Sequence, residues 1–440
     1  MGCDTNNRVI GEFEKLIEKH ITEGDSREHS GDYVNAAVDF ETALLYLTQV
    51  FKLCSDENTK HRISMLYNQL AHAHALSGNA ELALVFYGKS LSLRKEMYGD
   101  NPSAENCLDV SFCYDRIARM YEKQDRFSEA VLSFGQSFRW VRRAKGMIAE
   151  NEFEHIRCSV LNRIANVLAE TGKYRSALIK YEKSYNICKR MYEENPSGQT
   201  AHDLFVCVFN IAELMRMCGD CVDSYIWFCY GKELLEKNLG DRGDLAALKD
   251  FAYCYMRMAA AAGDLGDYEI AMSYCRRSIE LHAVQAEQDS NIKTKRHYAA
   301  ALNGAGDICF SFEDYSEALK LYQKSLDYKT DIGKTTSSFE LDRDTAVSFC
   351  LLGDVKLALN MKEEAEICYR NAVQCDEKRS LGRVSDNTLS DLAYSYYRLY
   401  LSNKAENKEY CEKAKQITEY LNLVAPLNAG YAALKRMTEE

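Results

Sequence analysis

The sequence predicts an all-α fold, a right-handed superhelical solenoid of antiparallel helix pairs. Three observations predict it. The same residue types return every 47 residues, only three prolines occur in 440 residues, and apolar residues recur at three- and four-residue spacing on both sides of each return point. A fixed period of this length indicates an array of one repeated structural element. Each repeat of such an array packs only on its neighbours.

The register starts at Gly31 and advances in steps of 47 residues. We call the residues reached the anchors: Gly31, Gly78, Asp125, Gly172, Gly219, Gly266, Glu313 and Asn360. Seven residues before every anchor the side chain is small: Gly24, Ala71, Ala118, Ala165, Ala212, Ala259, Gly306 and Gly353. Five residues after each anchor lies alanine or, once, serine. Small side chains at fixed places allow the two helices of a repeat to approach closely.

Each repeat reads as a first helix, a tight turn and a second helix. In residues 161–185, apolar residues follow helical spacing on both sides of Gly172, and glycine there favours a left-handed backbone that ends the first helix. Nine residues after most anchors a large aromatic residue recurs: Phe40, Tyr87, Phe134, Tyr181, Phe228, Tyr322 and Tyr369. We interpret this aromatic stripe as core that fills the space between helices, not as a cofactor site.

This layout resembles the tetratricopeptide repeat, whose usual length is ~34 residues. The matching residues of one repeat are Tyr67, Leu70, Ala71, Gly78, Ala83 and Tyr87. The resemblance covers about residues 12–385. We therefore assign eight repeats of 47 residues to residues 1–385, and a degenerate ninth repeat with C-terminal capping helices to residues 386–440.

The repeats depart from the usual length by carrying extra residues after the second helix. Pro102 and Pro196 lie at the same offset from their anchors. We expect the second helix to be longer than usual and to end near that offset. Extended repeats of this kind are similar to those of some bacterial regulatory and signalling proteins.

Composition excludes several classes of function. A net charge of −11 and a pI near 5.5 disfavour a protein that binds nucleic acid by neutralising phosphates. No apolar run is long enough to span a membrane. The 17 cysteines lie scattered in helical patterns without a secretory signal, so we expect a cytoplasmic protein with reduced thiols.

No catalytic or metal motif is expected to be functional. Cys218 and Cys221 form a lone C-x-x-C pair at a turn, whereas a structural zinc site needs a second pair of ligands. Gly304-Ala305-Gly306 lies within a helical repeat and not after a strand, so it fails as a phosphate loop. We expect no cofactor, no metal and no enzymatic activity.

The resemblance implies that the first helices line a concave wall. Residues ten, nine and six before each anchor share one face of those helices. The candidate partner-binding residues on it are Asn68, Arg116, Arg119, Asn162, Arg163, Asn166, Phe209, Asn210, Met256, Arg257 and Asn303. Asparagine both donates to and accepts from a peptide backbone, and arginine makes forked contacts to carboxylates. The alternative is that Asp115 and Glu213 simply pair with these arginines.

Two functions remain open at this point. The first is a non-enzymatic scaffold or adaptor that binds a peptide segment or partner protein, such as an acidic segment, in the concave groove. The second is a peptide-sensing regulator, or a regulatory subunit that controls a separate partner enzyme. RNA binding is disfavoured by the net charge, and the unbroken register between residues 31 and 365 leaves no insertion for a catalytic domain.

Overall fold

A computed structural model describes residues 2–124, 126–239, 245–289, 291–335, 339–382, 384, 386–424 and 429–439. The anchor Asp125 lies outside the described residues. All regular structure in these ranges is α-helical, which confirms the predicted all-α fold class. The helices are α1 (Gly2–Ser30), α2 (Tyr33–Cys54), α3 (Glu57–Leu76), α4 (Ala80–Asp100), α5 (Ala104–Lys123), α6 (Phe127–Arg143), α7 (Glu150–Glu170), α8 (Tyr174–Glu194), α9 (Gly198–Met217), α10 (Cys221–Leu239), α11 (Leu245–Asp264), α12 (Tyr268–Gln288), α13 (Ile292–Ser311), α14 (Tyr315–Thr335), α15 (Phe339–Ala358), α16 (Lys362–Gly382), α17 (Asp386–Ser402), α18 (Lys408–Val424) and α19 (Ala429–Glu439).

The chain divides into two compact units, Met1–Val167 and Leu168–Glu440. In the first unit, α1 packs on α2, α3 on α4 and α5 on α6, and α2 also contacts α3 and α4 contacts α5. The second unit continues the same order from α8 to α19. The odd-numbered helices up to α17 are the first helices of the repeats, and the even-numbered ones up to α18 are the second helices.

The turn inside each repeat depends on a left-handed residue at the anchor. Every anchor in the described ranges has a positive φ, including the two that are not glycine, Glu313 at 64° and Asn360 at 66°. In the repeat around Gly172, the amide of Lys173 donates to the carbonyl of Leu168 at 2.9 Å, which satisfies an otherwise unpaired helix-end carbonyl. The predicted role of Gly172 is confirmed by its φ of 72°.

Aromatic side chains explain why the position seven residues before the anchor is small. A Cβ atom added to Gly306 would lie 2.5 Å from the ring of Tyr322, and one added to Gly24 would lie 2.6 Å from the ring of Phe40. These rings are almost fully buried. The aromatic stripe therefore belongs to the core, as predicted.

A buried serine twelve residues after several anchors joins the two helices of a repeat. Ser90 Oγ donates to the carbonyl of Ser64 at 2.9 Å, and Ser278 Oγ donates to the carbonyl of Ala252 at 2.8 Å. Because these carbonyls belong to the first helix, the small hydroxyl both permits close packing and supplies a specific polar contact.

The extra residues lengthen the second helix in the repeats that carry Pro102 and Pro196, as predicted. α4 and α8 are 21 residues long each, and Asn101 and Asn195 cap them immediately before Pro102 and Pro196. The next first helix then starts at a serine N-cap, with a full capping box between Ser197 and Thr200.

Three helices follow the eighth helix pair. Tyr396 and Tyr397 of α17 and Ala414 of α18 pack with Tyr369 of α16 in one apolar cluster. α19 contacts both α17 and α18. The assignment of residues 386–440 as a separate capping region stays a prediction. None of the helices in the described part of the chain is long and apolar enough to cross a membrane.

Candidate functional site

Two of the candidate arginines pair with one carboxylate in the first compact unit, and a third lies on the same helix beside it. Arg119 Nε lies 3.1 Å from Asp115 Oδ2, and Arg163 Nη1 lies 3.0 Å from Asp115 Oδ1. The Arg116 guanidinium stacks on the exposed ring of Phe112, 4.7 Å from its centroid. Because α5 carries four of these residues and α7 carries Arg163, the cluster joins two neighbouring first helices. We call these three arginines with Asp115 the α5–α7 arginine cluster.

The α5–α7 arginine cluster holds an excess of positive charge. Burial lowers the pKa of Arg163, repulsion from Arg119 and Arg116 lowers it further, and attraction to Asp115 and Glu122 only partly opposes these effects. An arginine nevertheless stays protonated at neutral pH. The repulsion among the guanidinium groups would therefore be relieved by a further anion.

The candidate asparagines differ in how much of each is accessible. Asn162 and Asn303 are buried, with 8% and 9% of their surface exposed, and Asn303 Nδ2 donates to Ser348 Oγ at 3.2 Å. Asn68 and Asn210 are partly buried, and Asn166 is exposed. The amides accessible to a peptide backbone are therefore those of Asn68, Asn166 and Asn210.

The candidate residues of the second compact unit form a separate group. Phe209 is only 7% exposed and stacks on Tyr253, with 4.9 Å between ring centroids. Arg257 donates to the Tyr253 hydroxyl at 3.1 Å and lies 3.5 Å from Glu213 Oε1. Met256 is partly buried.

Acidic side chains balance the charge in this second group. Glu213 also lies 3.7 Å from Arg216, and Arg216 pairs with Asp264 at 3.2 Å. Two arginines therefore face two carboxylates there. The alternative that carboxylates simply pair with the candidate arginines describes this group. In the α5–α7 arginine cluster, Asp115 pairs with Arg119 and Arg163, and Arg116 adds a third positive charge. The positive charge available to an anionic ligand is therefore concentrated at that cluster.

The structure also shows a ladder of ion pairs that the sequence reasoning missed. A basic residue seventeen positions before one anchor pairs with an acidic residue sixteen positions before the next. We call each such pair a rung of the ladder. The rungs in the second unit are His202 with Asp250 at 2.8 Å, Arg296 with Asp344 at 2.6 Å and Arg343 with Asp391 at 2.8 Å. A rung of reversed sign, Arg62 with Glu14 at 2.7 Å, joins α3 to α1. The signal was available as opposite charges spaced by 48 residues.

One rung of the ladder lacks its acid. In the pair that would join α11 to α13, Lys249 of α11 occupies the basic position, and His297 of α13 occupies the position of the acid. Burial, followed by the positive charges of His282 and Lys249 among others, lowers the pKa of His297 to about 4. A neutral histidine at neutral pH therefore avoids a repulsive contact at this position.

A small cluster on α1 and α2 has the residue types of a metal site. His20, Glu23 and Asp39 bring three ligand atoms within 4.8 Å of one another. Arg27 Nη1, however, lies 2.6 Å from Asp39 Oδ2. This guanidinium already neutralises the buried carboxylate, so the cluster is explained by an ion pair.

Sequence models of the tetratricopeptide repeat match residues 64–103, 252–283 and 346–379. No curated protein matches the chain. Among solved structures, the apo form of the quorum sensor NprR from B. thuringiensis is 14% identical, with 92% of this chain and 99% of that chain covered and a TM-score of 0.50. This likeness shows a shared fold.

Two further structures are similar at lower TM-scores. A signal transduction ATPase with a tetratricopeptide repeat sensor from Pyrococcus horikoshii is 12% identical, and the match covers 90% of this chain, 55% of that chain and has a TM-score of 0.48. A Rap protein complexed with competence and sporulation factor is also 12% identical, with 93% and 99% covered and a TM-score of 0.46.

Proposed function

Because the chain is a tetratricopeptide repeat protein, we propose that it is a non-enzymatic interaction module whose first helices bind an acidic segment of a partner protein. The observation that carries this proposal is the α5–α7 arginine cluster, in which Arg119 and Arg163 share the carboxylate of Asp115 and Arg116 stacks on Phe112. The proposal extends to the accessible amides of Asn68, Asn166 and Asn210 as contacts to the peptide backbone.

The charge of the cluster favours an anionic ligand. The three guanidinium groups outnumber the two carboxylates that act on Arg163, those of Asp115 and Glu122, which leaves a local positive excess on a chain whose net charge is −11. Forked contacts from arginine to carboxylate combine geometry with charge, so they select acidic side chains over neutral ones. Rigid placement also helps, because Arg116 is held against Phe112 and Arg163 against Asp115 before any ligand arrives.

A second candidate function is a regulator that senses a peptide. Asp115 links α5 to α7 through Arg163, so an acidic ligand that competes for Arg163 would release this link and change the packing of the two helices. The solved structure that shares this fold at a TM-score of 0.50 is described as a quorum sensor. In this version of the proposal, binding of the peptide changes the activity of a separate partner protein.

Binding of defined peptides tests both versions. Fluorescence anisotropy would compare a labelled aspartate- and glutamate-rich peptide with a serine-glycine peptide and a lysine-rich peptide. We expect the acidic peptide to bind most tightly, and the double variant Arg116→Ala/Arg163→Ala to weaken it about tenfold or more. The matched control is Arg276→Ala/Arg277→Ala on α12, where both side chains are exposed. Equal binding by both double variants would refute the proposal.

Two further measurements separate an adaptor from a sensor. Solution scattering would show a change in radius of gyration on adding the acidic peptide if the chain is a sensor, and no change if it is an adaptor. Affinity purification from the native cell, run with wild type and the double arginine variant, would identify partners that depend on the cluster. A partner captured equally by both does not use it.

A further inference from the structure

In the first compact unit, the second helices α4 and α6 present a face whose apolar residues Val85 and Leu132 are exposed in the described part of the chain. The two helices lie side by side at their C-terminal ends, where Tyr98 of α4 and Trp140 of α6 meet edge to face with 4.9 Å between ring centroids. This face is distinct from the α5–α7 arginine cluster, because the face lies on second helices and the cluster lies on first helices. We call it the α4–α6 outer face.

Two glycines on the α4–α6 outer face have open space beside them in the described part of the chain. Gly88 and Gly135 lie in the interiors of α4 and α6, both ten residues after their anchors, where glycine is less stable than alanine. A Cβ atom at either position would meet nothing within 4 Å. Gly306, by contrast, is required because the ring of Tyr322 lies over it. Open space above a helical glycine allows another backbone or side chain to approach closely.

Apolar residues accompany both glycines on the same helical face. Val85 and Leu132 each lie three residues before a glycine and are 50% and 70% exposed. Residues three apart on a helix are neighbours on its surface. Two consecutive repeats therefore present the same pattern, an exposed apolar side chain next to an open glycine.

The charges of the α4–α6 outer face differ between its two ends. Glu81 lies at the start of α4 and Glu129 at the start of α6. At the other end, four exposed cations have no carboxylate within ion-pair distance in the described part of the chain: Arg139, Arg142, Arg143 and Lys145. Arg143 stacks on Trp140 at 4.1 Å. Arg126 pairs with Glu129 at 3.0 Å, and Lys60 pairs with Glu96 and Asp100 at the end of α4 at 2.7 and 3.4 Å. In the described part of the chain, the charges of this face without an ion-pair partner therefore include Glu81 at the start of α4 and the cations at the end of α6.

We propose that the α4–α6 outer face joins two copies of this chain as a two-fold symmetric dimer. A two-fold axis sets α4 of one copy antiparallel to α6 of the other, so that Glu81 at the start of α4 in each copy meets the unpaired cations at the end of α6 in the other. In that arrangement Glu81 faces Arg139, Leu132 enters the space above Gly88, and Val85 enters the space above Gly135.

Sedimentation equilibrium across a concentration series tests the dimer. Wild type is expected to associate reversibly, and Leu132→Asp and Gly135→Leu are each expected to weaken association about tenfold or more. Both positions are open to solvent in the single chain, so circular dichroism should show unchanged helix content. The matched control is Ile367→Asp, an apolar residue 59% exposed at the equivalent position of α16, where Arg370 stands in place of glycine.

A charge exchange tests the orientation. Glu81→Arg and Arg139→Glu should each weaken association, and the double variant should recover much of it, because the two charges meet across the axis. A wild-type chain that stays monomeric at every concentration would overturn the proposal. So would a dimer that Leu132→Asp leaves as tight as the Ile367→Asp control.

Discussion

The hydroxyl of Tyr322 donates a hydrogen bond of 2.7 Å to Asp307 Oδ1, across the turn that joins α13 to α14. Tyr369 makes the same bond to Asp354 in the next repeat. Burial raises the pKa of Asp307, and the tyrosine hydroxyl opposes that rise by donating to the carboxylate. The bond also holds the ring directly over Gly306, so the polar contact and the close packing depend on each other.

Adding one methyl group to Gly306 should destabilise the chain. Gly306→Ala would place Cβ 2.5 Å from the Tyr322 ring, which must move and strain its bond to Asp307. We expect a loss of about 1–3 kcal/mol in the free energy of unfolding, measured by urea denaturation. The control is Gly11→Ala, where Cβ meets nothing within 4 Å and stability should rise slightly. Equal effects of the two variants would show that the ring does not restrict Gly306.

Restoring glycine at an irregular anchor should stabilise the chain. Glu313 has a φ of 64°, a conformation that disfavours residues with a Cβ atom. Glu313→Gly should raise the free energy of unfolding by about 1 kcal/mol. Asn360→Gly should give a smaller gain, because asparagine tolerates this conformation better. Thermal denaturation of both variants checks the order, and a loss of stability in Glu313→Gly would contradict it.

Removing the carboxylate of the α5–α7 arginine cluster should affect stability and binding in opposite directions. Asp115→Asn keeps the shape of the side chain but leaves Arg119 and Arg163 without their shared anion. We expect stability to fall by about 1–3 kcal/mol. Affinity for the acidic peptide should rise several-fold, because the ligand then replaces the missing charge. A variant that loses both stability and affinity would place Asp115 in ligand recognition instead.

His297 should make the chain less stable at acid pH. Its pKa is lowered to about 4 by burial first and then by neighbouring positive charges, against an ordinary value of 6.5. The unfolded chain therefore binds this proton at a higher pH than the folded chain, so stability that is full above pH 6.5 is lost as the pH falls toward 4. His297→Gln should reduce that loss in a series of melting temperatures against pH. If His297→Gln leaves the melting temperatures at acid pH unchanged, the assignment of this pH dependence to His297 is contradicted.

His202 should give the opposite dependence. Its hydrogen bond to Asp250 raises its pKa above the ordinary 6.5. Its contribution is therefore full below pH 6.5 and is lost as the pH rises through the raised pKa. In the same series of melting temperatures against pH, His202→Gln should reduce the fall from neutral to alkaline pH. The melting temperatures at acid pH should change with pH as in wild type. A single histidine variant that changes the pH dependence at both acid and alkaline pH would indicate coupling between the two rungs.

The repeat register predicted the core because packing depends on residue size, which the sequence states directly. Gly172, Tyr322 and Gly306 occupy the turn and packing positions that their spacing implies. The length of α4 and its end before Pro102 also followed from the register, since proline and its preceding residue restrict the backbone. These features are local, or repeat with fixed geometry.

The candidate site was only partly predictable because first helices pack on neighbours at both sides. Asn162 and Asn303 share the predicted face with Asn166, yet they are buried by adjacent helices. The charge excess around Asp115 depends on how α7 approaches α5, a distance that no spacing within one helix reveals. Gly88 and Gly135 escaped notice because their meaning lies in the empty space beside them.

The ion-pair ladder bears on how the length of this chain can change during evolution. Most rungs place a basic residue on one first helix and an acidic residue on the next. Because the same two charge types recur from repeat to repeat, the charges do not specify which two repeats must be neighbours. Loss of the 47 residues 268–314 would bring Lys249 to the helix that carries Asp344, and the rung would have opposite charges. Repeats can therefore be lost or duplicated through recombination while neighbouring first helices keep compatible surfaces.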